Sequence, residues 1–185
     1  QFLNCGMKIK EINTGDGIGT IMDLLINKSP TLLFNENNET FVYRLTDEMN
    51  DEYCFNNGIP VYDIYADGGT IVVKNGDLSI AIIIPDDIEI NSEYILNGIK
   101  NILSKYFEHV EVNNNDIMID NKKCIGSASI NKNGMMAFVA SCSFSDKTEL
   151  IRNICTAPSS KIAGYIDSSI LSRDRLKEEL SLWLL

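Results

Sequence analysis

Histidine, proline and tryptophan are scarce in this chain, which has one, four and one of them in 185 residues. A lone His109, with no cluster of cysteines and carboxylates beside it, argues against a structural metal. The cysteines, Cys5, Cys54, Cys124, Cys142 and Cys155, are odd in number and show no Cys-x-x-Cys spacing. That usage argues against a disulfide scaffold and fits free thiols in a cytoplasmic protein. No apolar run reaches about 18 residues, and there is no signal-peptide pattern or internal repeat, so no membrane span and no solenoid are expected. Positive charge is also short: 16 Lys and Arg face 26 Asp and Glu, for a formal net charge of -10 without a basic stripe to offset it. Neither nucleic acid nor a membrane is therefore an expected partner.

What the chain does have is an ordinary globular composition, 44% hydrophobic and 23% charged. Its length suits a single domain over 1–185 that buries roughly two-thirds or more of its unfolded surface. Strand-like runs joined by turn signals, interrupted by a few long helices, predict an α+β fold. In it, a central, largely antiparallel (mixed) sheet comes from 31–45, 59–84 and 116–144, flanked by helices near 16–27, 92–108 and 172–184. Runs 31–34 and 40–45 read as strands around an Asn35-Glu36-Asn37-Asn38 turn, and 69–74 and 78–84 as strands around Lys74-Asn75-Gly76-Asp77. Candidate helix caps are Thr14 or Asp16, Ser92, Ser145 or Asp146, and Ser172. An acidic segment at 47–55 predicts a short helix.

The stretch 115–143 organises the rest. Ile117-Met118-Ile119, a short turn, Cys124 to Ile130, an Asn133-Gly134 turn and the run from Met135 form a three-strand meander. Lys123 stands at the start of its middle strand, just before the small residues Gly126, Ser127 and Ala128, which let a ligand approach the backbone. Asp67-Gly68-Gly69 before a strand is a second such place.

Asn115-Asp116 followed by three apolar residues, a turn, and Lys122-Lys123-x-x-Gly126-Ser127-Ala128 resembles the core of the lipoate-protein ligase and octanoyltransferase family, which shares its catalytic domain with biotin-protein ligases. The resemblance implies that Lys123 contacts an acyl carboxylate or acyl-adenylate, and that Asn115 and Asp116 help hold a magnesium ion and the adenylate. It also places Gly68, Gly69, Thr70 and Gly76 in the ligand-binding turn, with Ala140 and Ser141 beside the acyl pocket. Lipoate or octanoate is the implied ligand, and a lipoyl-carrier protein the implied partner. The family's separate C-terminal accessory domain has no counterpart in these residues, so a ligase would need it from another polypeptide.

The sequence also departs from the family pattern. Asp63 and Ile64 stand where the family has two arginines, Asp67 replaces its first glycine, and Val73 and Lys74 replace a His-Asp pair. Arginines are the usual partners of triphosphate charge, so ATP and magnesium binding is expected to be weak or absent. Octanoyltransferases of this superfamily use a cysteine nucleophile, but Cys124 should point away from the Lys123 face, Cys142 lies in a buried run, and Cys155 lacks the family's context. Two readings follow: an enzyme that activates or transfers a lipoyl- or octanoyl-type group to a carrier lysine, or a non-catalytic relative that binds an acyl ligand or protein partner without ATP chemistry. Either predicts that the Gly68-Gly69 turn and Lys123 face one another across one groove.

Overall fold

The computed structural model describes residues 6–45, 48–66, 70–87, 89–156 and 161–185. In chain order the elements are β1 (Lys8–Ile12), α1 (Ile18–Ile26), β2 (Thr31–Glu36), β3 (Phe41–Arg44), α2 (Asp51–Asn56), β4 (Val61–Asp63), β5 (Ile71–Val73), β6 (Leu78–Pro85), α3 (Ser92–Leu103), β7 (Val110–Asn113), β8 (Asp116–Ile119), β9 (Lys122–Lys132), β10 (Met135–Cys142), α4 (Thr148–Ile154), β11 (Ile162–Ala163) and α5 (Arg173–Leu184). The large sheet runs β1-β2-β6-β10-β9-β8-β7, with β11 against β9. Only its β1/β2 and β11/β9 pairs are parallel. This is the expected α+β class, a mixed sheet flanked by helices.

The predicted meander forms as β8, β9 and β10, paired antiparallel in succession. Its second turn works because Asn133 and Gly134 both take positive φ, 62° and 75°, as a two-residue hairpin requires. One face of the large sheet packs Leu32, Phe34, Ile80, Ile82 and Phe138 against Ile99 of α3 and Leu176 and Leu180 of α5. The other face packs Leu33, Ala81, Ile83 and Val139 against Ile21 and Leu25 of α1. Ser172 caps α5 by accepting a hydrogen bond from the Arg175 amide.

Two expected hairpins do not form. β3, β4 and β5 make a separate three-stranded sheet, ordered β4-β3-β5, so the turns after β2 and before β6 are crossovers between sheets. Turn residues predict that a chain reverses, but they leave its partner open, and here β3 is buried on both faces. Phe41 and Tyr43 look toward Ala128 of the large sheet, while Val42 packs with Cys54 and Ile154 of the helices outside. Smaller differences are local. Asn91, not Ser92, caps α3, and the Ser92 hydroxyl instead bonds that of Ser129. Helix α3 ends at Leu103, short of 108, and β7 begins seven residues later. Helix α2 begins at Asp51 behind an Asn50 cap.

A buried charge pair straps the two crossovers together. Asp77 is fully buried; its Oδ2 accepts from the Lys74 amide at 3.0 Å and Oδ1 from the Phe144 amide at 3.2 Å. Lys147, just ahead of α4, donates to Asp77 Oδ2 at 3.0 Å and to the Val72 carbonyl of the small sheet. Asn37, in the first crossover, donates from both its amide and its side chain to the Asp77 carbonyl. Burial lowers the Lys147 pKa, and Asp77 pulls against that shift. Removing one member of a buried pair strands the other, which costs about 3–5 kcal/mol. Lys147→Met should therefore lose about that much stability in urea unfolding; a loss below about 1 kcal/mol would mean that the pair does not join the sheets.

Candidate functional site

Asp116 opens β8 directly opposite Gly126 of β9, and around this pair the structure gathers two lysines. The Lys123 ammonium lies 3.0 Å from Asp116 Oδ1, and that of Lys161 lies 2.6 Å from Oδ2. Lys161 also donates to the Asn113 carbonyl at 3.1 Å. The two lysines are 38 positions apart, and β11 brings them together by pairing Ala163 with Lys123 and Ile162 with Lys122.

A β-bulge aims Lys123. Strict alternation would put Lys123 and Gly126, three residues apart, on opposite faces of the strand. The pairing of β8 with β9 slips between Ile117 and Met118, so that Cys124 has no partner, and Cys124 and Ile125 both enter the α3/α5 core. The extra residue returns Lys123 to the Gly126 face, a re-aiming that bulges commonly perform beside functional sites. Gly126 then makes room: a Cβ there would meet Lys123 Cε at 3.1 Å and Nζ at 3.2 Å. The small residue after the lysine is thus a seat for its ammonium.

The other residues singled out from the sequence divide between this seat and other tasks. The Asn115 carbonyl accepts from the Ser127 amide at 3.0 Å and hydroxyl at 2.6 Å, which fixes the β7–β8 turn and so the place of Asp116. Ala128 lies on the Lys123 side, where its small size admits Phe41 and Tyr43 of the small sheet. Ala140, by contrast, is packed in the α3/α5 core, and its strand partner Ser127 shares that face; alternation along β10 and β9 leaves neither toward the groove. Ser141 sits on the groove side, level with Gly126. Gly76, with φ 95°, serves the crossover, donating to the Asn37 carbonyl and accepting from Arg173. Thr70 accepts from the Leu45 amide at 3.4 Å beside β5. Gly68 and Gly69, and with them the expected meeting with Lys123 across a groove, lie outside the described residues.

Both oxygens of Asp116 are taken by ammonium groups, and among the described residues no three His, Cys, Asp or Glu side chains gather as a metal site. With an ammonium on each oxygen, Asp116 is engaged in ion pairs on both sides. Sequence reasoning missed Lys161 because its position depends on a two-residue strand with no periodicity to read. The arginine positions of the family pattern are also accounted for. Asp63 receives Arg44 at 2.6 Å, and the same guanidinium binds Asp51 at 2.8 Å, while Ile64 packs against the small sheet.

On the face of the large sheet beneath the small one, the row that holds Gly126 continues through Ser141 and Ser79 to Asn35, and Tyr43 borders that far end. Tyr43 donates to Asp16, and burial together with that bond raises its pKa, so the phenol stays protonated. A void of about 10 Å³ there, bordered by Leu33, Tyr43 and Val139, has room for about one water. An acyl chain would have to displace α1 or Tyr43 to lie there. A larger cavity of about 320 Å³, bordered by Tyr53, Lys74 and Glu149, lies against the outer face of the small sheet and is separate from this groove.

The small sheet packed over the large one, both flanked by helices, is the fold of the solved lipoate ligases. A family model of the lipoyl protein ligase A/B catalytic domain matches residues 20–180, and the chain belongs to that family. No curated protein sequence matches it. Among solved structures, P. falciparum LipL1 in complex with lipoate is 18% identical with a TM-score of 0.77, the match covering 96% of this chain and 61% of LipL1. Lipoate-protein ligase A bound with ATP is 19% identical with a TM-score of 0.77, covering 95% of this chain and 83% of that one. A bipartite archaeal lipoate protein ligase from Thermoplasma acidophilum, studied with its E2 lipoyl domain, is 18% identical with a TM-score of 0.74, covering 95% and 81%. At such identities the likeness shows the fold. This chain spans about three-fifths of LipL1.

Cys124 and Cys142 are poor nucleophiles where they stand. Burial pushes Cys124 up to about 11, and its thiol donates to the Lys122 carbonyl at 3.4 Å. Cys142 is raised further by the same cause. Iodoacetamide at pH 7.5 should leave Cys124 and Cys142 unlabelled in the folded protein and label both in urea, read by peptide mass spectrometry. Rapid labelling of native Cys124 would mean an activated thiolate.

Proposed function

We propose that this domain holds a lipoyl- or octanoyl-type acid by its carboxylate at Lys123 and serves the attachment of that acyl group to a lysine of a small carrier protein. The observation that carries the reading is the Lys123 ammonium seated in the space over Gly126 and held there by Asp116. Family membership and the lipoate bound by LipL1 support the ligand class. The archaeal ligase studied with its lipoyl domain supports a carrier protein as partner, and its bipartite build supports an accessory domain supplied separately. The buried free thiols of Cys54, Cys124 and Cys142 favour the cytoplasm.

Chemically, Lys123 would neutralise the acid on binding and then the charge that builds on its oxygen as a nucleophile attacks. Such work needs a fixed cation in a site shielded from water. Lys161, held by Asp116 and Asn113, would keep Asp116 from drawing Lys123 away. For nucleotide the residues fit poorly. Asp63 and Ile64 hold the arginine positions, and Arg44 is already committed to Asp63 and Asp51. This favours a second reading, in which the domain binds an acyl ligand, or receives an already activated one, without using ATP itself.

Isothermal titration with octanoate separates these readings. The wild-type protein should bind it, and Lys123→Met should bind about tenfold more weakly, equivalent to about 1.4 kcal/mol. That is at the low end for a charged hydrogen bond, because the Lys123 side chain is 36% exposed. Gly126→Ala should weaken octanoate similarly, since it dislodges the ammonium, yet change stability by less than about 1 kcal/mol because the flexible end of Lys123 can move aside. Micromolar binding of ATP with magnesium would contradict the second reading, and absence of octanoate binding would contradict both.

A further inference from the structure

The face of the large sheet beneath the small one carries a polar row across five strands. Register places Asn35 of β2 level with Ser79 of β6, Ser79 level with Ser141 of β10, Ser141 level with Gly126 of β9, and Gly126 level with Asp116 of β8. Partners level across an antiparallel sheet share a face, so these residues form one row beneath the small sheet. The next row on that face, Leu33, Ala81, Val139 and Ala128, is apolar. A site built for a plain alkyl chain would have no use for hydroxyls in its floor, because an unmet buried hydroxyl is costly.

Most of the row is satisfied internally. Asn35 accepts from the Thr14 amide at 3.1 Å and donates to Asn37 at 3.2 Å, and Ser79 accepts from Asn37 at 2.9 Å. Ser141 differs. It is 4% exposed, and its hydroxyl is the buried side-chain polar atom without a hydrogen-bond partner among the described residues. Beside it is the space that Gly126 leaves open, where the Lys123 ammonium sits.

We infer that Ser141 is a specificity-determining residue, and that the acid this groove prefers carries a hydrogen-bonding group part-way along its chain, where a plain fatty acid has only methylene. This rests on the proposed seating of the carboxylate at Lys123. Adjacent strands lie about 4.8 Å apart, so a chain anchored above Gly126 and running across the strands, with Tyr43 or α1 moved aside to admit its far end, passes the Ser141 hydroxyl about 5 Å from its carboxylate. That is the reach of the fifth carbon in an extended chain, four bonds of about 1.5 Å each in zigzag. A ketone or similar acceptor there would receive the Ser141 proton, whereas octanoate would leave the hydroxyl unmet and shut off from water.

Octanoate and 5-oxooctanoate, titrated calorimetrically into the wild-type protein and into Ser141→Ala, test this. The keto acid should bind wild type about tenfold more tightly than octanoate, the usual range for meeting a buried polar group against leaving it unpaired. Ser141→Ala should abolish that preference while leaving octanoate binding unchanged or improved. Equal affinities in the wild-type protein, or a preference that persists in Ser141→Ala, would overturn the inference and leave the carboxylate site at Lys123 standing. Failure of both acids to bind wild type would overturn the carboxylate site and the inference with it.

Discussion

The buried ion pair of Asp77 and Lys147 is the constraint on which the two-sheet arrangement depends. The chain passes from the large sheet to the small one after β2 and returns before β6, and each passage exposes backbone groups that a continuous sheet would have paired. Asn37, Asp77 and Lys147 meet that need together. The charges are tolerable in the interior because both Asp77 oxygens accept backbone amides and Lys147 reaches a backbone carbonyl as well. Without this strap, the small sheet would rest on the large one mainly through Phe41, Tyr43, Ile71 and Val73 against Ala128, and the width of the groove would not be set.

Within the groove, the same physics is used with the opposite balance. Lys147 has one carboxylate and a carbonyl, and is satisfied. At the other end of the row, two lysines meet at one carboxylate, one on each oxygen. A chain with an overall charge of -10 repels anions at long range, so an acid would have to be drawn in at short range, as the Lys123 ammonium allows. The bulge at Cys124 and the missing side chain of Gly126 are the backbone devices that place the Lys123 ammonium on the side of the small sheet instead of the α3/α5 face.

Much of this was legible in the sequence, and the reasons for the rest are physical. The meander could be read because its signals are local: Asn133-Gly134 for the turn, and apolar runs of strand length on either side. The lysine seat could be read in part, since Lys123, Asp116 and Gly126 belong to one motif. What could not be read is whatever depends on partners distant in sequence. The turns after β2 and before β6 carry the same residues a hairpin would, and only burial on both faces of β3 decides that they cross between sheets. Nothing local says that Asp77, a turn residue, and Lys147 will find each other 70 positions apart. Lys161 reaches the site through β11, too short to leave a pattern. Ala140 and Ser127 sit in the right strands but on the α3/α5 face, an assignment that register makes and composition does not.

The central claim, that an acid is held between the sheets by Lys123, is tested most directly by a crystal structure of the protein soaked with octanoate. The carboxylate should lie about 2.8 Å from the Lys123 ammonium, the distance of a charge-assisted hydrogen bond, above Gly126 and with its chain directed toward Ser141 and Ser79. Octanoate ordered elsewhere, as in the cavity beside Lys74 and Glu149, with Lys123 still resting on Asp116 and the groove empty, would contradict the account.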